Sequence, residues 1–285
     1  MTATRPRTAW LFLLPACLFY AVFVAWPIVQ SLGFSLFDPA AKFGEHFVRL
    51  AGDGRFYQAL LNNGLLLVLS LVIQLPAAMG LALLLTGRLP GRGLMRTVYF
   101  APMILPSTAT AFLWKFIYAP PDEHGLLNSL LRGLGLGTVN WLADPGTDLL
   151  AIIGIVSWVY IGFHTVLFMA GLESIPAELY EAARIDGASE WQCFRDVTLP
   201  MMRRVIAVSA TLSIIGSLKY FDVFYVLSPS GGTDGSTDLV TTYLYRTRFV
   251  EHQDGYACAL AVALLLVVLA VALPAMRWLH GKREA

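Results

Sequence analysis

The sequence is poor in charge: Asp, Glu, Lys and Arg make up 14% of its 285 residues, and they balance to a net +1. So even a balance offers no basic stripe with interleaved aromatics, which excludes nucleic acid as a partner. Cysteine is scarce as well. Cys17, Cys193 and Cys258 fall in three separate segments, so neither a disulfide nor a metal site is expected. No GxxxxGK[ST] string occurs, and the chain therefore lacks the phosphate cradle with which to hold ATP itself. Internal repeats of solenoid period and low-complexity linkers are also absent, and one transmembrane domain over residues 1–285 is the simplest expectation.

What the chain has in quantity is apolar sequence, 57% of its residues. A hydrocarbon layer about 30 Å thick takes roughly 20 apolar residues in helical form, because backbone groups facing lipid must be paired within the segment. Six runs meet that length, at about 10–36, 59–85, 97–118, 149–172, 205–227 and 256–279. The expected fold is all-α, a polytopic membrane protein with six transmembrane helices. Pro102, Pro106 and Lys115 interrupt the third run.

Orientation follows from the connecting segments. Twelve Lys and Arg lie on one side (Arg5, Arg7, Arg88, Arg92, Arg96, Arg184, Arg195, Arg203, Arg204, Arg277, Lys282 and Arg283) and six on the other (Lys42, Arg49, Arg55, Arg132, Arg246 and Arg248). Positive charge collects in the cytoplasm, so both termini and the polar segment around residues 173–204 are expected there. Arg5 and Arg7 before an apolar run, with Cys17 close behind, also fit a cleaved lipoprotein signal. The run continues about twenty residues past Cys17, too long for a signal core, which favours an uncleaved first span. On the outer side, Leu126 to Leu134 and Leu239 to Phe249 read as short interfacial helices, the second anchored by Tyr243, Tyr245 and Phe249.

The cytoplasmic segment ELYEAARIDGASEWQCFRDVTLP, Glu178 to Pro200, reads as helix, turn, helix. Good helix formers run from Ala177 to Ile185 and stop before Gly187, which suits a left-handed cap. Ser189 and Gln192 have the spacing of a capping box for a second short helix that ends near Pro200. Leu179, Ala182 and Ala183 share one face of the first helix, and Trp191, Phe194 and Val197 recur every three residues in the second. Those stripes have two possible uses: packing on the inner ends of the chain's own spans, or docking on a partner.

Within the membrane runs, Lys219 and Asp222 stand at i, i+3, the spacing of a pair on one helical face, and a lone charge at mid-bilayer would cost roughly 2.5 to 3.5 kcal/mol. Trp114, Trp158, Tyr160 and His164 could stack against or hydrogen-bond a solute, or simply pack between helices. Asn62, Asn63 and Gln74 carry the same two readings.

The string Glu181-Ala182-Ala183, three residues, Gly187, nine residues, Val197-Thr198-Leu199-Pro200 resembles the EAA loop of ABC importer permeases. LFLLPACLFYAVFVAWPIVQSL near the start and KYFDVFYVLSPSGGTDGSTDLVTTYLY after the fifth run are similar to the carbohydrate-uptake permeases related to the first permease of the maltose importer. Val197 for Ile and Ser230 in the later loop are departures. The resemblance implies the type I ABC importer permease fold in the inner membrane of a prokaryote, as a non-catalytic subunit beside a second homologous permease, two cytoplasmic ATP-binding subunits and an extracytoplasmic solute-binding protein. It implies a sugar or oligosaccharide as cargo, with a polyol, glycerophosphodiester or other small solute as the alternative. ATP and Mg would be bound by the partner ATPases, and Glu181, Ala182, Ala183, Gly187, Trp191, Phe194, Leu199 and Pro200 would couple to them. An ion-driven secondary transporter would also use membrane charges such as Lys219 and Asp222, but it predicts inverted repeats, and none is evident.

Overall fold

The computed structural model describes residues 6–39, 41–87 and 91–280. Among these, helices account for nearly all regular structure and there is no strand. Five helical segments are long and apolar enough to cross a membrane: α1 (Phe12–Leu36), α3 (Gly54–Thr86), α7 (Asp148–Glu173), the segment Glu190–Leu227 and α12 (Asp254–His280). Shorter helices lie between them: α2 (Glu45–Ala51), α4 (Arg92–Ile104), α5 (Ser107–Ile117), α6 (Leu126–Gly133), α8 (Ala177–Ile185) and α11 (Val240–Phe249). Glu190–Leu227 itself contains α9 (Leu199–Lys219) and α10 (Asp222–Leu227). Of the charges that set the expected orientation, Arg5, Arg88, Lys282 and Arg283 lie outside the described residues.

The third run differs from a straight span. α4 and α5 meet at 102°, so the total reaches six spans only when this pair is counted as one. Leu105 precedes Pro106 and is extended, with φ −68° and ψ 139°, as the proline ring demands of its neighbour. In three other spans one proline is handled by a wide helical turn placed just ahead of it. Ala21–Ala25 precedes Pro27, Ser70–Gln74 precedes Pro76, and Cys193–Thr198 precedes Pro200. A turn with one extra residue accommodates the missing N–H and the ring without breaking the rod. For that reason the helix does not end at Pro200 but runs on into the membrane.

The described residues cluster in two compact units. The smaller joins the chain up to Phe56 with Leu244–Leu266. Its polar knot holds α2 to the start of α12: His46 Nε2 lies 2.9 Å from Asp38 Oδ2, Arg49 donates to Gln253 Oε1 at 2.7 Å, and its guanidinium sits 3.9 Å over the Tyr256 ring. The Tyr256 hydroxyl in turn donates to the Asp53 carboxylate. α1 exposes Phe12, Phe19, Phe23 and Trp26, an apolar surface that suits lipid rather than water.

The larger unit, Tyr57–Tyr243 with the chain beyond Val267, has two apolar cores. One gathers Leu66, Ala111, Ile152, Ile155, Val223 and Phe224 from α3, α5, α7 and α10. The other gathers Ala78, Ala82, Phe168, Met169, Met202 and Ala210 from α3, α7 and α9. Close approach depends on small residues, as is usual where lipid gives helices no hydrophobic drive to associate. Gly162 of α7 lies directly against the Tyr99 carbonyl of α4, and Gly171 against Met202 of α9.

Buried amides tie down the loop between α10 and α11. Asn62 Nδ2 donates to the carbonyls of Ser236 (2.9 Å) and Asp238 (2.8 Å), while Asn63 donates to Ser217 O (2.8 Å) and accepts from Val240 N (3.0 Å). Asn63 thus caps the end of α9, helped by the Thr241 hydroxyl on the Tyr220 carbonyl. Both asparagines are structural. Tyr243, expected as an interfacial anchor, is instead 4% exposed, and Phe249 alone of that trio is largely exposed.

Candidate functional site

α8 and the segment after it form the helix, turn, helix expected from sequence. The turn is closed by two bonds, Ala188 N to Ala183 O at 2.9 Å and Gly187 N to Arg184 O at 3.1 Å. That is a Schellman cap with Gly187 at φ +81° in the left-handed position. Both halves of the capping box are present: Ser189 Oγ accepts from Gln192 N at 3.3 Å, and Gln192 Oε1 accepts from Ser189 N at 2.7 Å. Ser189→Ala is expected to cost about 1 kcal/mol of local helix stability, visible as faster amide exchange in residues 190–194.

The two uses of the stripes are divided along the segment. Its base packs inward: Ile175, Cys193 and Thr198 are buried, Tyr180 packs on the second core, and the Tyr180 hydroxyl bonds Thr198 Oγ1 at 2.9 Å. Its tip does not. Ile185 is 86% and Trp191 66% exposed, with Leu179 and Leu199 also largely exposed. Glu181, Ala182, Gly187 and Pro200 are exposed, whereas Ala183 and Phe194 are half-buried, Phe194 with its ring 5.5 Å from that of Trp191. Arg184 and Glu190 bridge the rim at 3.2 Å. The Arg195 guanidinium pairs with the Asp196 carboxylate at 2.8 Å. Between the arms runs a groove of about 820 Å³ that reaches Glu181, Trp191 and Phe194. Ile185 was not singled out from sequence; it sits at the last turn of α8, off the stripe that periodicity had picked.

A second feature lies inside the larger unit. Polar and aromatic side chains gather near the two apolar cores: Ser70 and Gln74 of α3, Tyr160 and His164 of α7, Ser213 and Ser217 of α9, and Tyr220 just beyond α9. With Leu66, Met103, Val156, Phe163 and Leu212 they line a cavity of about 210 Å³ that no Asp, Glu, Lys or Arg among the described residues borders. His164 Nδ1 meets Ser209 Oγ at 2.6 Å and its Nε2 meets Ser213 Oγ at 3.2 Å. The serines are one turn apart, at 209, 213 and 217, a spacing that marks a polar stripe on the fifth run and was readable in the sequence.

Of the expected pathway residues, Tyr160 and His164 border this cavity. Trp114 and Trp158 do not; they meet edge to face at 5.5 Å in an aromatic cluster with Tyr118 and Trp141. Lys219 and Asp222 are not a pair. α9 stops at Lys219, Tyr220 and Phe221 leave helical geometry, and the Asp222 carboxylate accepts from Ser107 Oγ at 3.2 Å instead. Both charges are exposed.

The sequence profile of the family described as binding-protein-dependent transport system inner membrane component matches residues 50–283, a range that holds both the groove and the cavity. The chain belongs to this family. The permease is 36% identical to the probable ABC transporter permease protein YurN of Bacillus subtilis (strain 168), over 96% of this chain and 97% of YurN. It is 31% identical to the lactose transport system permease protein LacF of Rhizobium radiobacter, over 96% and 94%. Among solved structures it is similar to a chain of a bacterial alginate ABC transporter in complex with alginate pentasaccharide-bound periplasmic protein, with TM-score 0.87, 26% identity and coverage of 98% and 96%. The fold is therefore that of an ABC importer permease.

Proposed function

We propose that this permease forms half of the passage of an ATP-driven importer for a sugar or oligosaccharide, as one transmembrane domain in a prokaryotic inner membrane with both termini in the cytoplasm. Its partners are a second homologous permease, two ATP-binding subunits that hold ATP and Mg, and an extracytoplasmic binding protein; this chain performs no chemistry. The observation that carries the coupling role is the contrast within Ala177–Pro200, a base locked onto the spans and an apolar tip, Ile185 and Trp191, left outside. An exposed tip of this kind wants a groove on a partner, and a locked base transmits its displacement to α7 and α9. Glu181 supplies a charge for a hydrogen bond across that interface. The sugar reading rests on the lactose and alginate systems to which the permease is similar, and on a cavity whose hydroxyls, amide and tyrosine rings suit a polyhydroxylated ring.

The test is to reconstitute the permease with its partners in liposomes and to measure ATP hydrolysis as the binding protein is offered lactose, maltose, cellobiose, an alginate oligosaccharide and glycerol. Stimulation by one of the sugars is expected. A response to glycerol alone would move the cargo to polyols, and ATPase activity indifferent to every loaded binding protein would overturn the reading.

A further inference from the structure

Among the residues bordering the internal cavity, Gln74 is unlike the rest. Its side chain is buried, 2% exposed, and its Nε2 has no hydrogen-bond partner among the described residues. The neighbouring polar groups are committed: His164 uses both ring nitrogens on Ser209 and Ser213, and Ser217 reaches Ser70 at 3.5 Å. A buried donor left unmade is costly, and a site of recognition is one setting in which that cost is returned by the ligand. Gln74 closes the wide turn Ser70–Gln74 ahead of Pro76, and within it Ser70 and Gln74 are buried while Val72 and Ile73 are exposed. Turns of this type recur at functional sites because they re-aim side chains without ending the helix.

We infer that Gln74 is a specificity-determining contact, donating its amide N–H to a hydroxyl of an uncharged, hydroxyl-rich solute as that solute passes this subunit. The inference rests on the cavity being where cargo touches the permease. With no Asp, Glu, Lys or Arg among the described residues on its border, the cavity offers nothing to offset the desolvation of a carboxylate, so neutral sugars suit it and uronates do not. A site built to bond a hydroxyl rejects an analogue that lacks it, because the protein donor is then stranded again.

The experiment uses the whole complex in liposomes at saturating loaded binding protein, so that the binding protein's own affinity drops out. Uptake is measured for the neutral disaccharide that stimulates ATP hydrolysis best among lactose, maltose and cellobiose, and for its monodeoxy analogues. Gln74→Leu is expected to slow uptake of the parent sugar by about tenfold, the loss of roughly one hydrogen bond, while at least one deoxy analogue is carried as well as by the unmodified permease. The amount of inserted protein should not change; Gln74→Met serves if the leucine variant inserts poorly. Equal slowing of parent and every analogue would overturn the inference in favour of a purely structural amide. Tyr160→Ala separates the two levels of argument. If it alters sugar selectivity and Gln74→Leu does not, the inference falls alone; if neither variant alters uptake or selectivity, the cavity reading falls with it.

Discussion

Gly187→Val is expected to lower ATP-driven uptake by tenfold or more while the permease still inserts and still folds in its spans. A Cβ built at Gly187 meets nothing within 4 Å, so no clash is involved; the cause is the backbone, held at φ +81°. A β-branched residue in that left-handed position costs about 1–2 kcal/mol, enough to open the Schellman turn and misplace Ile185 and Trp191 relative to each other. Asparagine tolerates the same conformation, so Gly187→Asn should retain most of the transport lost in Gly187→Val. Uptake and ATPase measurements on the reconstituted complex separate the cases: if both variants fail alike, Gly187 acts through a contact rather than through its conformation, and if valine transports normally the segment does not couple.

A second large effect is expected at Gly162→Val, this time on the folded permease itself. The added Cβ would fall on the Tyr99 carbonyl, with the carbonyl carbon 2.8 Å away and the Phe100 Cα 3.3 Å away. These are backbone atoms, so relief requires α4 to move off α7 rather than a side chain to rotate. Overpacking of this kind typically costs about 1–3 kcal/mol, occasionally more. A lower Tm in detergent and a reduced yield of inserted protein should follow, with Gly162→Ala in the same direction. Because Met103 of α4 borders the internal cavity, a displaced α4 would also open one wall of it. An unchanged Tm for the valine variant would show that the two helices do not meet here as described.

Much of this was legible before any coordinates. The long apolar segments follow from what a bilayer requires of a backbone, and each is helical where expected, with α4 and α5 the bent exception. The turn at Gly187 and the capping box at Ser189 were legible because both are built from hydrogen bonds spanning a few residues, so their sequence and geometry are nearly the same statement. The EAA-like string was legible through family resemblance. Proline positions were visible too, but not their accommodation: Pro106 produced a 102° bend, whereas Pro27, Pro76 and Pro200 each follow a widened turn that keeps the helix going.

The sequence by itself determined the solvent, the helical class, the approximate spans and the local caps, all of which depend on composition or on neighbours within one or two turns. Only the tertiary structure decided which polar residues are used and how. Lys219 and Asp222 have pairing spacing on paper, yet Asn63 and Thr241, distant in sequence, take the final carbonyls of α9 and the helix breaks between them. Tyr243 looked like an anchor and is buried. Whether an amphipathic stripe packs inward or stays outside depends on what other helices bring to it, and so Tyr180 became part of the base and Ile185 part of the tip. The cavity with Gln74 exists only where α3, α4, α7 and α9 come together, a coincidence of segments that no single stretch of chain encodes.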